Sequence, residues 1–204
     1  MNNTSIRNFS NINLAFISFT SRFTSKQNKV VKKRSAIFFD RDGTIIRSKL
    51  SKTRRPIAIK ILSECKIFPS AKKIFNKLKK EFLIFVITNQ PDVYRKKNLK
   101  KNVIEINNFI KRELPINKIY TCFCDKKRCK YRKPNIGMLI DASKKYKIDL
   151  TKSFVIGDRW RDIKAGKKAK CKTIFINKNY NEKLKNKPDY TINSLYQLNK
   201  IFKF

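Results

Sequence analysis

"AIFFDRDGTII", residues 36 to 46, decides how the chain is read. Four apolar residues run straight into two aspartates, Asp40 and Asp42, one residue apart, and then Gly-Thr. A short continuous apolar run is the pattern of a strand buried on both faces, as strands of parallel sheets are. The pattern returns at "FLIFVIT" (82–88), "KIYTCF" (118–123), "SFVIG" (153–157) and "KTIFI" (172–176). Between these runs, apolar residues fall three or four apart, the helix period. They are Ala71, Ile74, Phe75 and Leu78 in 71–80, then Leu99, Val103, Ile106 and Ile110 in 98–113, then Ile136, Leu139, Ile140 and Tyr146 in 135–146. A last helix over 194–202 carries Leu195, Leu198 and Ile201 behind an Asn193 or Ser194 cap. Strands alternating with helices predict an α/β architecture: a doubly wound, mainly parallel sheet with helices on both faces.

Ligands of such sheets bind beyond the carboxyl ends of the strands. Asp40 and Asp42 follow the first strand, Thr88-Asn89-Gln90 the second, and Gly157-Asp158 a later one. All three groups are expected on one rim. The two carboxylates, Asp40 and Asp42, can take different roles. One can attack phosphorus and form an aspartyl-phosphate, while the other protonates the leaving alcohol and then deprotonates water. Two carboxylates and a phosphate repel one another. Mg2+, which prefers oxygen ligands, relieves that repulsion, and Asp158 completes its set. Phosphoryl transfer also needs donors and positive charge around the phosphate. Thr88 and Asn89 can donate, and Lys133 in "YRKPNIGM" supplies a cation. Pro134 suits the first turn of the following helix, which would hold Lys133 at a loop end.

The length of 204 residues suggests one domain with a tail. Lys and Arg number 51 against 14 Asp and Glu, a net charge of +37, and there is no histidine. Every mechanism built on a His nucleophile, base or metal ligand is thereby excluded. The charge suits a nucleic-acid partner. It also suits compositional bias, since Lys, Asn, Ile and Phe are abundant throughout, and the even spread of basic residues favours this second reading. No run of about 18 apolar residues occurs, so no transmembrane helix is expected. Residues 1–34 carry no acidic residue and read as a basic, unstructured extension, with an organelle transit peptide as the alternative. Of five cysteines, Cys122, Cys124 and Cys129 cluster, which suggests a metal site more than a disulfide framework. Cys65 and Cys171 read as small buried residues, so a reducing, cytoplasmic compartment is expected.

Taken together, DRDGT (40–44), ITNQ (87–90), RKPNIGM (132–138) and GDRWRD (157–162) resemble, in order and spacing, the four-motif signature of the haloacid dehalogenase superfamily of phosphatases. The resemblance covers about 35 to 204. Within that superfamily the chain is most similar to the D-glycero-D-manno-heptose 1,7-bisphosphate phosphatases and their histidinol-phosphatase relatives. "IFPSAKKIFNKLKK", "VITNQPDVYRK" and "SFVIGDRWRDIKAGKKAKCKTIFI" carry that likeness. It implies a Rossmann-like fold without a large cap domain. It implies catalytic roles for Asp40 as nucleophile, Asp42 as general acid/base, and Thr88 and Lys133. It implies Mg2+ held by Asp40, the Asp42 backbone carbonyl and Asp158. Thr44, Asn89, Gln90, Arg132 and Arg159 would bind substrate, and Asp162 would brace the Asp158 loop. A phosphorylated sugar as substrate and a monomeric state are also implied.

These relatives carry a zinc loop, Cys-x-His, a spacer, then Cys-x-Cys. Here it reads "CFCDKKRCKYRKP", with Cys124 in place of His and Tyr131 in place of the last Cys. Zn2+ prefers four tetrahedral ligands. Cys122, Cys124 and Cys129 could hold it with Asp125, Tyr131 or water as the fourth, or packing and charge could hold the loop instead. The basic segment "RSKLSKTRRPIAIK" (47–60) is the other expected specificity loop, suited to a second phosphate. A polynucleotide 3′-phosphatase and a non-catalytic nucleic-acid-binding protein remain as alternatives.

Overall fold

The computed structural model describes residues 33–204. The expectation for the N-terminal extension falls on residues that, up to 32, lie outside this range. Arg34 already belongs to the folded part. Its N–H donates to the Lys147 carbonyl at 3.1 Å, and its own carbonyl accepts the Asp149 N–H at 2.9 Å.

Six strands form one parallel sheet in the order β5-β4-β1-β6-β7-β8. They are β1 (Ala36–Phe39), β4 (Leu83–Asn89), β5 (Lys118–Cys122), β6 (Phe154–Gly157), β7 (Lys172–Ile176) and β8 (Tyr190–Ile192). The five apolar runs are the five inner or long strands. β8 is an edge strand in which only Ile192 is buried, so it has no apolar run to betray it. Strand order reverses at β1: the chain first builds outward through β4 and β5, then returns beside β1 with β6. That crevice is where open α/β sheets bind ligands.

Side chains of β1 alternate between two cores. Ile37 and Phe39 join Ile74 and Phe75 of α1 (Ala71–Leu78) on one face. Ala36 and Phe38 join Met138 and Leu139 of α4 (Gly137–Tyr146) on the other. Stacked pairs mark both layers, Phe39 on Phe75 at 4.5 Å between ring centroids and Phe38 on Phe85 at 5.3 Å. α3 (Lys100–Glu113) buries Val103, Ile106 and Ile110, as its period predicts, while Leu99 stays exposed. The last helix divides into a 3-10 turn, Leu195–Gln197, and α6 (Leu198–Phe202). Ser194 occupies the cap position but its hydroxyl caps nothing. The Asn193 N–H is met instead by the Gln197 side chain at 2.6 Å.

α5 (Trp160–Lys168) is too rich in Lys and Arg to show a clean apolar stripe, yet it packs directly on the sheet. Gly166 permits this, because a Cβ there would come within 2.5 Å of Thr173 Cγ2. The basic segment 47–60 contains a two-stranded hairpin, β2 (Lys49–Leu50) with β3 (Pro56–Ile57), which is the insertion that follows the first strand. A short helix, α2 (Pro91–Tyr94), follows β4. Pro134 does not open α4. It follows Lys133 through a cis peptide bond, and α4 begins at Gly137. Successive turns, with Arg132 N–H on the Cys129 carbonyl and Asn135 N–H on the Arg132 carbonyl, occupy the residues between. Cys171 is buried as expected, whereas Cys65 is half-buried. Among the described residues no helix is long and apolar enough to cross a membrane.

Candidate active site

Asp40 stands at the end of β1, and its N–H continues the ladder to the Ile156 carbonyl of β6 at 2.9 Å. Asp158 stands at the end of β6. The sequence therefore places one carboxylate on each side of the crevice. The loop between them turns at Gly43, whose φ of +82° favours glycine. A side chain there would also be blocked, since its Cβ would lie 1.9 Å from Asp158 Oδ2. Thr44 is buried and donates to Asp158 Oδ1 at 3.3 Å. Its hydroxyl thus supports a carboxylate, and it does not line the cavity that the substrate role would require.

Lys133 is 2% exposed and reaches the same point. Its Nζ lies 2.8 Å from Asp40 Oδ1 and 2.6 Å from Asp162 Oδ1, and it donates to the Ile87 carbonyl at 2.7 Å. Burial works against the cation, but Asp162 and Asp40 outweigh it and raise its pKa. Asp40 Oδ1 also accepts the Arg41 N–H at 2.7 Å. Burial, then the Asp162 charge, push the Asp40 pKa up to about 6, with Lys133 opposing. Asp158 is raised well above the usual carboxylate range by burial and by its neighbours Asp40 and Asp162. Asp162 sits in the first turn of α5, where its Oδ2 accepts the Arg159 N–H at 3.0 Å. It braces the start of that helix while pairing with Lys133.

Asp40, Asp158 and Asp162 each offer a carboxylate oxygen, all within 4.8 Å of one another. Asp158 Oδ2 is buried beside the Tyr180 hydroxyl and has no other hydrogen-bond partner. An all-oxygen cluster that is short of positive charge fits a hard divalent cation such as Mg2+. The Asp42 carboxylate is not in this cluster. It turns instead to Arg41, at 3.0 Å to Nε and 3.2 Å to Nη2, and to Gln90 Nε2 at 2.8 Å.

Thr88 and Asn89 end β4 on the same rim. The Thr88 hydroxyl accepts from Gln90 Nε2 at 2.8 Å. Both ends of the Asn89 amide are committed to the Lys133 backbone: Nδ2 donates to its carbonyl and Oδ1 accepts its N–H, each at 3.0 Å. Asn89 therefore locks the Lys133 loop to β4. Gln90 is buried behind the cavity wall and bonds two residues that line it, Asp42 and Thr88. The cavity, about 360 Å3, opens over Asp40, Asp42 and Lys133. Arg132 and Arg159 line it, as do Arg55, Arg95 and Arg161, three cations that the sequence motifs did not single out. Arg159 grips Glu182 through Nε and, at 2.8 Å, Nη2. Arg161 has Glu182 only at 3.9 Å.

The cysteine loop holds two of its three thiols together. Cys122 Sγ and Cys129 Sγ are 3.7 Å apart, but Cys124 Sγ accepts the Lys126 N–H at 3.4 Å. The three sulfurs do not gather within 4.8 Å of one another. Burial raises the Cys122 pKa to about 11, whereas hydrogen bonds with the Tyr131 backbone and with Cys124 and Cys122 outweigh burial and lower that of Cys129. Asp125, the candidate fourth ligand, is held by Arg95 at 2.7 and 2.9 Å and by Arg132 at 2.8 Å.

A family model described as polynucleotide kinase 3 phosphatase matches residues 35–193. The chain belongs to the haloacid dehalogenase phosphatases. These are phosphoric monoester hydrolases. A D-glycero-alpha-D-manno-heptose-1,7-bisphosphate 7-phosphatase of Campylobacter jejuni is 30% identical over 71% of this chain and 83% of its own length. A D-glycero-beta-D-manno-heptose-1,7-bisphosphate 7-phosphatase of Haemophilus influenzae is 27% identical over 82% of this chain and 96% of its own. The crystal structure of a D,D-heptose 1,7-bisphosphate phosphatase from B. bronchiseptica, complexed with magnesium and phosphate, superposes with a TM-score of 0.67. It is 19% identical and covers 83% of this chain and 98% of that one, so it speaks to the phosphatase fold.

Proposed function

We propose that this phosphatase removes the 7-phosphate of D-glycero-D-manno-heptose 1,7-bisphosphate in a Mg2+-dependent reaction. One observation carries the chemistry: Asp40, Asp158 and Lys133 converge beneath a cavity whose wall is otherwise rich in arginine. The names of the Campylobacter and Haemophilus relatives support the substrate. Arg55, on the basic hairpin, and the loosely paired Arg161 supply cations for a second phosphate away from the reacting one.

Two donors already occupy Asp40 Oδ1, so Oδ2 is the attacking oxygen. Oδ2 bonds to phosphorus as the bond from phosphorus to the sugar oxygen breaks, and Asp42 gives its proton to that departing oxygen. Water then attacks phosphorus as the bond from phosphorus to Oδ2 breaks; phosphate leaves, and a proton from the water returns to Asp42, which restores both carboxyl groups. Lys133 holds Asp40 in place and offsets charge on the transferring group. Bound by Asp40, the Asp42 backbone carbonyl and Asp158, Mg2+ would supply positive charge shared by these oxygens and the phosphate.

The test is phosphate release from heptose 1,7-bisphosphate, fructose 1,6-bisphosphate, histidinol phosphate and a 3′-phosphorylated oligonucleotide, with Asp40→Asn as blank. Preference for the heptose supports the proposal. The +37 charge and the description of the matching family favour a second reading, polynucleotide 3′-phosphatase. Preference for the oligonucleotide, with a rate that falls steeply with salt, would replace the first reading by the second.

A further inference from the structure

Arg41 separates the two catalytic aspartates and is fully buried. A buried guanidinium needs partners, and this one is spent on Asp42. Nε reaches Oδ2 at 3.0 Å and Nη2 reaches Oδ1 at 3.2 Å, a two-pronged grip. Nη1 donates to Asn107 Oδ1 of α3 at 2.9 Å, and Asn107 Nδ2 donates to Thr121 Oγ1 of β5 at 3.0 Å. Arg41 is absent from the cavity wall whereas Asp42 is part of it. The grip therefore comes from behind, out of the protein interior, on a carboxylate that faces the substrate.

From this arrangement the geometry points to Arg41 as the positioning residue for Asp42, anchored through Asn107 and Thr121, with Asp42 Oδ1 as the oxygen that exchanges the proton. The assignment rests on the phosphatase reading above. Oδ2 accepts from both Arg41 Nε and Gln90 Nε2, which fills it. Oδ1 has one long partner and keeps a lone pair for the proton that passes to the leaving oxygen and returns from water. A flexible aspartate would sample several rotamers. The guanidinium, fixed by two other elements, leaves one, and general acid–base catalysis depends on that alignment.

The leaving group separates this role from a merely structural one. A sugar alkoxide needs a proton as it departs, whereas p-nitrophenolate leaves without one. With wild-type protein, Mg2+-dependent turnover of both the sugar bisphosphate and p-nitrophenyl phosphate must first be seen. Its absence on both would overturn the phosphatase reading itself. Arg41→Met is then expected to lower kcat on the sugar phosphate by about a hundredfold and on the aryl phosphate by less than about tenfold, with KM nearly unchanged. Asn107→Leu, which leaves Arg41 in place but removes its anchor, is expected to act in the same direction by about tenfold, in a protein that still folds with a lowered melting temperature. It decides the matter if Arg41→Met does not fold. Equal losses on both substrates, or no loss in Asn107→Leu, would overturn the assignment.

Discussion

Replacing Lys133 by Met tests the electrostatic centre of the site. Lys133 and Asp162 are 2% and 1% exposed at their side chains, so their ion pair is cut off from water. Asp40, the other partner, is 12% exposed. Removing one member of a buried pair leaves an uncompensated charge and costs about 3–5 kcal/mol. Met fills similar space, so little of the loss would come from a cavity. Unfolding free energies of domains are about 5–15 kcal/mol in total, so about a fifth or more of the stability is at stake. For a domain of this size the loss corresponds to a fall in Tm of about 6–20 °C. Thermal unfolding should be followed in EDTA, so that no divalent cation compensates for the missing ammonium. A double-mutant cycle with Asp162→Asn sharpens the test. If Asp162 is the charge that Lys133 neutralises, the double variant is less destabilised than the sum of the single ones by about 1–3 kcal/mol. A loss under about 1 kcal/mol, or strict additivity, would refute the argument that Lys133 holds the carboxylate cluster together.

Two further perturbations have clear outcomes. Gly43→Ala places a methyl group against Asp158 Oδ2 and forces a side chain into a left-handed φ, so Asp158 must move. Calorimetric titration with Mg2+ is expected to show at least tenfold weaker binding, and unchanged affinity would count against Asp158 as a ligand. Asp189 accepts three bonds at 2.7 Å, from Lys167 Nζ and from the N–H and hydroxyl of Thr173. Burial alone would raise its pKa, but those donors outweigh burial and lower it. A carboxylate with a lowered folded-state pKa adds stability above its unfolded pKa, about 3.8, and loses it as pH falls through the folded value. Asp189→Asn should therefore be less stable than wild type at neutral pH and converge with it in acid. A constant gap down to strong acid would exclude the ionised form as the source.

The parts of the fold legible in the sequence are those in which burial leaves a periodic trace. Four of the five apolar runs became inner strands covered on both faces, and the fifth, β5, is an edge strand that is only partly buried. β8 and α5 escaped because one is a half-exposed edge and the other hides its contact face among Lys and Arg. The chemistry was legible for a related reason. Polar residues that directly follow buried strands must lie on the rim of a parallel sheet, so Asp40, Thr88 and Asp158 could be placed together from local sequence alone.

Residue type and position along the chain therefore determined the sheet, the rim and the set of reactive groups. Only the tertiary structure decided how those groups are partnered. Nothing local indicated that Arg41 turns inward to Asp42 and Asn107, that Gln90 bonds the Asp42 carboxylate, that Asn89 is spent on the Lys133 backbone, or that Asp125 is taken by Arg95 and Arg132. Most of these contacts join residues from separate elements, and each donor had several acceptors within chemical reason. The choice among them is made by the direction in which a packed backbone points each side chain, and by the cost of leaving a buried polar group unpaired. Neither quantity exists until the chain has folded.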